Sequence, residues 1–174
     1  MMERSNESLF CDGGTIGRNP SPLGGTFAWC LIRKETPEIS IMVKQDHGAF
    51  EPADVNMEII GNNLAELFAA VRALSAVPEG WPGTLWTDSR ITLYRLTTGE
   101  RFMGIPDWLR ERTLKLRKGR SYVVKLLGGH PTREELRKGR RRDGKPVSRF
   151  NVWCDLKCGE AAELFRKRKA KGKP

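Results

Sequence analysis

The sequence predicts one α/β domain, built as a five-stranded mixed sheet flanked by helices. Three segments with the alternating apolar pattern of β-strands come first, and helix-like and strand-like segments then alternate to the end of the chain. The chain has 174 residues, of which 39% are hydrophobic, and this suits a single buried core. We therefore expect one domain over residues 6–168 and a disordered basic tail over residues 169–174.

The N-terminal part of the chain is predicted to form three consecutive strands. Residues 8–12 predict a strand that ends in a Gly-rich turn, and residues 24–34 predict its hairpin partner. Residues 38–45 predict a third strand, and residues 46–61 predict an irregular connection. The apolar face of the third strand is predicted to consist of Ile39, Ile41 and Val43.

Helices and strands alternate in the remainder of the chain. The clearest helix spans residues 62–77, where apolar residues recur at helical spacing and Asn62 or Asn63 is available as an N-cap. The later predicted elements are a strand over 84–89, a short helix from residue 90, a helix over 105–119, a fifth strand over 121–127, a polar basic arm over 131–149 that holds at most one helical turn, and a closing helix over 151–169.

The charge is divided unevenly along the chain. The formal net charge is +10, but residues 1–100 carry a net −5 and residues 101–174 a net +15. A strongly basic half joined to an acidic half is typical of a protein that binds a polyanion such as nucleic acid. A soluble protein with a basic tail is the alternative that charge alone leaves open.

The chain lacks the marks of a membrane or secreted protein. No apolar run reaches the roughly 20 residues of a membrane span, and residues 1–8 are polar. We therefore expect a cytoplasmic monomer that needs no membrane and no obligate protein partner. The four cysteines are then expected to be reduced thiols within the core; they are Cys11, Cys30, Cys154 and Cys158.

Four carboxylates lie at points where predicted elements begin or end. Asp12 and Asp88 follow two predicted strands, while Glu66 and Asp155 lie beside the apolar faces of two predicted helices. Sites in open α/β sheets form outside the strand ends, so these side chains are expected to converge if the two strands are neighbours. Each acid alone has an ordinary structural role open to it, as a turn former, an N-cap or an exposed helix position.

Convergent carboxylates indicate a bound divalent cation, because anions at close range repel each other unless a cation lies between them. All-oxygen ligands favour Mg²⁺ or Mn²⁺. Two such ions would serve phosphodiester hydrolysis, one activating the attacking water and the other stabilising the leaving oxygen.

In chain order, CDGG, GNNLAEL, WTDSR and GGHP…NVWCD resemble the motifs of type 1 ribonuclease H. The resemblance covers roughly residues 8–165. It implies the three-layer RNase H-like fold and an endonuclease that cuts the RNA strand of RNA–DNA hybrids, leaving 5′-phosphate and 3′-hydroxyl ends. It further implies two Mg²⁺ ions (Mn²⁺ being the alternative) held by the four carboxylates Asp12, Glu66, Asp88 and Asp155.

The same resemblance implies roles for further residues. His130 matches a loop histidine that assists proton transfer or product release, and an imidazole titrates in the range such a role needs. An ordinary exposed loop histidine is equally compatible with its sequence. We also expect contacts with the substrate near the cut. The residues expected to make them are Gly13, Gly14, Asn62, Asn63, Ser89, Arg90 and Asn151.

The chain also departs from the family pattern. Gly14, Gly61 and Arg90 stand where Ser, Thr and Gln are frequent, so three side-chain contacts differ. The largest departure is the basic arm inserted between His130 and Asn151, which we expect to follow a phosphate backbone. Its arginines are Arg140, Arg141 and Arg142.

The helical stretch over residues 108–120 occupies the position where many family members carry a basic protrusion that binds the DNA strand. Its predicted substrate contacts are Arg117, Lys118 and Arg120. Two other functions stay open: a DNA nuclease of the same fold, such as a resolvase or transposase-like enzyme, and a non-catalytic nucleic-acid-binding module. The paired asparagines before Glu66 favour the ribonuclease, and the presence of all four acids argues against a simple binder.

Overall fold

A computed structural model of the protein describes residues 5–172. It has a five-stranded mixed sheet flanked by helices on both faces, as the sequence predicts. The elements are β1 (Glu7–Thr15), β2 (Gly25–Lys34), β3 (Ser40–Phe50), a 3₁₀ helix (Pro52–Val55), α1 (Asn62–Ser75), β4 (Thr84–Thr87), α2 (Arg90–Thr97), α3 (Asp107–Lys118), β5 (Val123–Leu126), α4 (Arg133–Lys138) and α5 (Arg149–Lys171).

The strands are arranged in the order β3-β2-β1-β4-β5. The first three pair antiparallel as consecutive hairpins, whereas β4 pairs parallel with both β1 and β5. The parallel pairs require crossovers, which α1 and the α2–α3 segment supply. The central strand β1 therefore lies between an antiparallel and a parallel neighbour, next to the point where the chain order reverses.

Each face of the sheet has its own apolar layer. On one face, α1 packs against residues such as Leu9, Trp29 and Leu85, and α2 and α3 extend this layer. On the other face, α5 covers a smaller cluster, whose buried members are Phe10, Ala28, Cys30, Ile32, Cys154 and Cys158. Alternate residues of β1 supply both layers, because successive side chains of a strand point to opposite faces. The three-layer prediction is thus confirmed.

The strand β3 differs from its prediction in length and in orientation. It continues through Phe50, so the first part of the predicted irregular connection is paired with β2. Its predicted apolar face is wrong, since the side chains of Ile39, Ile41 and Val43 are 54%, 42% and 38% exposed. The cause is that β3 is an edge strand with a register shift opposite Leu31 and Ile32, and Met42 is the residue that packs inward.

The start of α1 also differs from the prediction. Gly61 is its N-cap, and neither asparagine caps the helix. Asn19 of the β1–β2 loop instead accepts a hydrogen bond from the backbone N–H of Asn62 at 3.1 Å. The same loop is tied to the segment before α1 by a backbone bridge between Ser21 and Ile60. A distant loop thus supplies the cap that the local sequence lacks.

The C-terminal helix is longer than predicted. It runs through Lys171, so residues 169–171 are helical, whereas the sequence predicted that a disordered tail begins there. Residues 173–174 of that predicted tail lie outside the described residues. Within residues 5–172, none of the helices has the length and apolar character needed to cross a membrane.

Candidate active site

The candidate site lies at the edge of the sheet where β1 and β4 stop pairing. Their parallel ladder ends at Phe10 opposite Trp86, and β1 continues to Thr15 in its pairing with β2. Asp12 comes two residues after the end of this ladder, and Asp88 comes directly after β4. The two carboxylates that the sequence placed at strand ends are therefore brought together by the parallel pairing of β1 and β4.

His130 lies between two of the carboxylates. Its Nε2 atom is 3.7 Å from Asp88 Oδ2, and its Nδ1 atom is 3.6 Å from Asp155 Oδ1. Donor atoms of Asp12, His130 and Asp155 lie within 4.8 Å of one another, a spacing that suits one metal ion. Asp155 comes from α5 and His130 from the loop after β5, so three separate parts of the chain meet at this point.

Glu66 faces the same site from α1. Its Oε1 atom accepts a hydrogen bond of 3.0 Å from the side-chain Nδ2 atom of Asn62, which lies one helical turn earlier. Burial raises the pKa of Glu66 above its usual value, and the charge of Asp88 raises it further, against the opposing effect of Ser89. Glu66 is thus coupled to the cluster through Asp88. All four acids predicted from the sequence, together with His130, lie at one edge of the sheet.

The electrostatics of the cluster are unfavourable without a cation. Asp12 is 5% exposed, and burial together with the nearby charge of Asp88 raises its pKa from 3.8 to about 7, although His130 opposes this. The Oδ1 atom of Asp88 is buried and has no hydrogen-bond partner among the described residues. An unpaired buried carboxylate oxygen beside other carboxylates is the arrangement that a bound divalent cation would satisfy.

Gly13 allows α1 to approach this edge closely. A Cβ atom at Gly13 would lie 2.2 Å from the carbonyl oxygen of Ala65 and 2.6 Å from the backbone nitrogen of Glu66. Any side chain at this position would push α1 away from β1. Gly13 therefore allows close packing of α1 against β1. Gly14 has space beside Thr26 and is the more accessible of the two glycines.

Arg95 is a residue near the site that the sequence analysis missed. It is 3% exposed, and its guanidinium donates hydrogen bonds to the carbonyl oxygens of Asn63 at 2.8 Å and Arg101 at 2.9 Å. Its positive charge also lowers the pKa of Glu66, against the effect of burial. Nothing in the sequence of α2 marks this residue, because arginine on a short helix is usually exposed.

The predicted substrate contacts near the carboxylates divide into exposed and buried residues. Asn63 and Arg90 are exposed at the starts of α1 and α2, and Asn62 is half-buried. Ser89 is 6% exposed and accepts the hydrogen bond that caps α2. Asn151 is 3% exposed, so its side chain is not available at the protein surface as the prediction required.

The predicted contacts at the end of α3 are not brought to the site. The segment that holds Arg117, Lys118 and Arg120 leads into β5, whose first paired residue, Val123, is opposite Thr84, the first residue of β4. Asp88 follows the other end of β4, about 13 Å further along at the usual strand rise. These three cations therefore lie at the opposite edge of the sheet, because α3 runs from the site side toward the start of β4.

The basic arm folds back toward the site. α4 has a capping box in which Thr132 and Glu135 exchange hydrogen bonds, and a backbone bridge joins Arg140 to Pro146. Arg140 and Arg142 are exposed, whereas Arg141 is half-buried against the loop that carries His130. The insertion is thus a folded substructure next to the carboxylates.

All four cysteines are buried free thiols, as predicted. Cys154 and Cys158 of α5 lie 3.6 Å and 3.5 Å from the carbonyl oxygens of Phe10 and Asp12. These contacts hold α5 against β1 one residue before and three residues after Asp155. Their role here is packing that positions the carboxylates.

The architecture is similar to that of solved ribonuclease H structures. RNase H1 from the halophilic archaeon Halobacterium salinarum NRC-1 matches with a TM-score of 0.61 at 20% identity, covering 91% of this chain and 98% of that one. The N-terminal RNase H domain of a Mycobacterium tuberculosis protein, solved as a fusion with maltose binding protein, matches with a TM-score of 0.60 at 14% identity, covering 94% and 97%.

A third structure, LC11-RNase H1 in complex with an RNA/DNA hybrid, matches with a TM-score of 0.56 at 18% identity and covers 91% of this chain and 97% of that one. The sequence matches no protein-family model and no curated protein. The chain therefore has the RNase H-like fold, and the fold resemblance that the four motifs predicted is confirmed.

Proposed function

We propose that the protein is a metal-dependent endonuclease that hydrolyses the RNA strand of RNA–DNA hybrids. The observation that carries this proposal is the convergence of Asp12, Glu66, Asp88 and Asp155 at one edge of an RNase H-like sheet. A cluster of four carboxylates, from buried Asp12 to exposed Asp155, would repel a nucleic acid, so a protein that only binds nucleic acid has no use for it. The same cluster would attract a phosphodiester if it held divalent cations.

The carboxylate oxygens of the cluster suit Mg²⁺, with Mn²⁺ as the alternative, and we infer that a pair of these ions binds there. The donors are carboxylate oxygens, and one of them, Asp88 Oδ1, is buried and accepts no hydrogen bond from residues 5–172. When bound, the ions would activate the attacking water and stabilise the leaving oxygen, giving 5′-phosphate and 3′-hydroxyl products. His130, within 4 Å of Asp88 and Asp155, is placed to take up or release a proton there.

Exposed polar groups around the cluster support binding of a nucleic-acid backbone. Asn63 and Arg90 flank the carboxylates, and Arg140 and Arg142 extend from the folded arm. Arginine contacts to phosphate supply most of the sequence-independent affinity for nucleic acid. LC11-RNase H1, which shares the fold, was solved with an RNA/DNA hybrid, and this supports the same class of substrate here.

The test is cleavage of an end-labelled RNA–DNA hybrid in Mg²⁺, run beside duplex DNA, duplex RNA and a four-way DNA junction. We expect cuts only in the RNA of the hybrid. Asp88→Asn is expected to abolish cleavage while hybrid binding is retained, because the variant keeps the shape of the site but loses a metal ligand. Cuts in the junction alone would indicate a DNA nuclease of this fold. Full cleavage by Asp88→Asn would contradict the metal site.

A further inference from the structure

We propose that Arg141 of the basic arm is a positioning residue, which holds the loop of His130 over the carboxylates instead of binding phosphate. The proposal rests on the proposed function, since it assigns Arg141 to the same site. It gives the inserted arm a role within the domain, in addition to any contact with nucleic acid.

The first observation is the contact between Arg141 and the loop. Its Nη2 atom donates a hydrogen bond of 2.6 Å to the carbonyl oxygen of Gly129, the residue before His130. A Cβ atom at Gly128 would lie 2.7 Å from the guanidinium carbon. The guanidinium therefore lies directly against the Gly128–Gly129 backbone and fills the space that a side chain at residue 128 would need.

The second observation is that this contact stands alone. Within residues 5–172, the bond from Arg141 is the one hydrogen bond made to residues 128–131. The last backbone bond before them joins Leu127 to Thr87, and the next bond after them belongs to Thr132 at the cap of α4. Without Arg141, the two consecutive glycines before His130 would have no hydrogen bond from the described residues, and only the contacts of the His130 ring with Asp88 and Asp155 would remain there.

The third observation is that the arm holds Arg141 in place. The backbone N–H of Arg141 donates to the carbonyl oxygen of Lys145 at 2.8 Å, and the N–H of Gly144 donates back to Arg141 at 2.9 Å. Glu135 of α4 accepts a hydrogen bond from the backbone N–H of Arg142 at 3.0 Å. Arg141 is thus fixed at the base of a closed turn, whereas its neighbours Arg140 and Arg142 are exposed.

The consequence concerns His130 itself. Its ring nitrogens lie 3.6–3.7 Å from Asp155 and Asp88, so a displacement of 1 Å in the loop would change both distances substantially. Misplacement on this scale costs catalysis far more than it costs binding. Loss of the Arg141 contact is therefore expected to lower kcat and to leave hybrid affinity nearly unchanged, whereas a phosphate contact would show the reverse.

The kinetic test compares Arg141→Ala with Arg137→Ala. Arg137 is an exposed arginine of the same arm, so its substitution removes the same charge without touching the His130 loop. With the hybrid in Mg²⁺, Arg141→Ala is expected to lower kcat about tenfold and to change KM no more than the control does. Gly128→Ala keeps every charge but displaces the guanidinium, so it is expected to lower kcat similarly. In the Arg141→Ala background, Gly128→Ala is expected to add nothing further, because the group it displaces is gone.

A second readout does not depend on activity. Backbone ¹⁵N order parameters of Gly128, Gly129 and His130 are expected to fall from values near 0.85 to below about 0.6 in Arg141→Ala, and to stay unchanged in Arg137→Ala. Unchanged order parameters in Arg141→Ala would overturn the proposal, even for a chain that cleaves hybrids. A loss of affinity for the hybrid with kcat intact would also overturn the proposal, and it would indicate that Arg141 binds phosphate. A wild-type chain with no nuclease activity would contradict the proposed function. The order parameters would still decide whether Arg141 holds the loop.

Discussion

Gly13 of β1 and Ala65 of α1 are in backbone contact, so close that a Cβ atom at Gly13 would lie 2.2 Å from the Ala65 carbonyl oxygen. This contact sets how near the first turns of α1 come to the edge of the sheet. Glu66 is the next residue of the helix, and it reaches the carboxylate cluster only because α1 lies this close. The glycine after Asp12 is therefore a requirement of helix–strand packing.

The first prediction is that Gly13→Ala destabilises the fold and disrupts the site. The new methyl group would meet backbone atoms of α1, which can yield only by moving the helix. We expect the free energy of unfolding to fall by about 3 kcal/mol in a urea titration, together with loss of hybrid cleavage. Gly14→Ala is the control, because a Cβ atom there would be 3.4 Å from the Thr26 hydroxyl, an ordinary contact. Equal stability of the two variants would contradict the packing argument.

The second prediction concerns the pH dependence of stability without metal. The pKa of Asp12 is about 7 in the folded chain against 3.8 in an ordinary environment, so the folded state binds a proton that the unfolded state releases between these values. Stability in chelator is therefore expected to fall as pH rises from 4 to 7. Asp12→Asn removes this titration and is expected to be more stable than the wild type at pH 8, by up to about 4 kcal/mol.

The matched measurement is thermal unfolding of both chains at pH 4 and pH 8, with and without Mg²⁺. The difference between them is expected to vanish at pH 4, where Asp12 is protonated in the folded wild type. Mg²⁺ is expected to raise the melting temperature of the wild type at pH 8 and to have much less effect on Asp12→Asn. A wild type that is insensitive to Mg²⁺ at pH 8 would argue against a metal site at Asp12.

Much of this site could be predicted because its residues carry strong local signals. A buried strand that runs into Asp12 and two glycines, and a short strand followed by Asp88 and Ser89, both mark strand ends where side chains converge. Glu66 stands on a helix whose apolar face is clear from its spacing. Parallel pairing of β1 with β4 then brings these positions together, and this pairing is a condition that the sequence left open and the structure meets.

What could not be predicted depends on contacts between distant residues. The capping bond from Asn62 to Asn19 joins positions 43 residues apart. The burial of Arg95 depends on two carbonyl groups that only the folded chain places beside it. The exposure of Ile41 follows from the edge position and register shift of β3, and a pattern of alternating residues contains neither.

The third prediction is that Arg95 supports the start of α1. Arg95→Met keeps the length of the side chain but leaves the carbonyl groups of Asn63 and Arg101 without their donor. We expect a loss of about 2–4 kcal/mol in unfolding free energy, because buried acceptors lose a charged partner. Arg90→Met, on the exposed surface of the same helix, is expected to change stability by less than about 0.5 kcal/mol. Equal effects of the two substitutions would place Arg95 outside the structural core.

The fourth prediction concerns His130. His130→Ala is expected to slow hybrid cleavage by about 10²-fold without abolishing it, and to leave hybrid binding intact, since a general acid or base contributes roughly 10²–10⁴. The measurement is single-turnover cleavage under saturating enzyme, compared with multiple-turnover rates. His47 of β3, which contacts Trp153, gives the control variant His47→Ala. An unchanged rate for His130→Ala would leave the imidazole with no part in the reaction.

The last prediction separates the two basic regions by the salt dependence of hybrid binding. Arg140 and Arg142 are exposed beside the site, whereas Lys118 and Arg120 lie at the opposite edge of the sheet. Each phosphate contact contributes about 1 to the slope of log affinity against log salt. The double variant Arg140→Ala/Arg142→Ala is therefore expected to lower that slope by up to about 2, while Lys118→Ala/Arg120→Ala leaves it nearly unchanged. Both remove two charges, so a general loss of attraction would affect them equally, and a larger effect of the second pair would mean that the hybrid extends across the sheet to the end of α3.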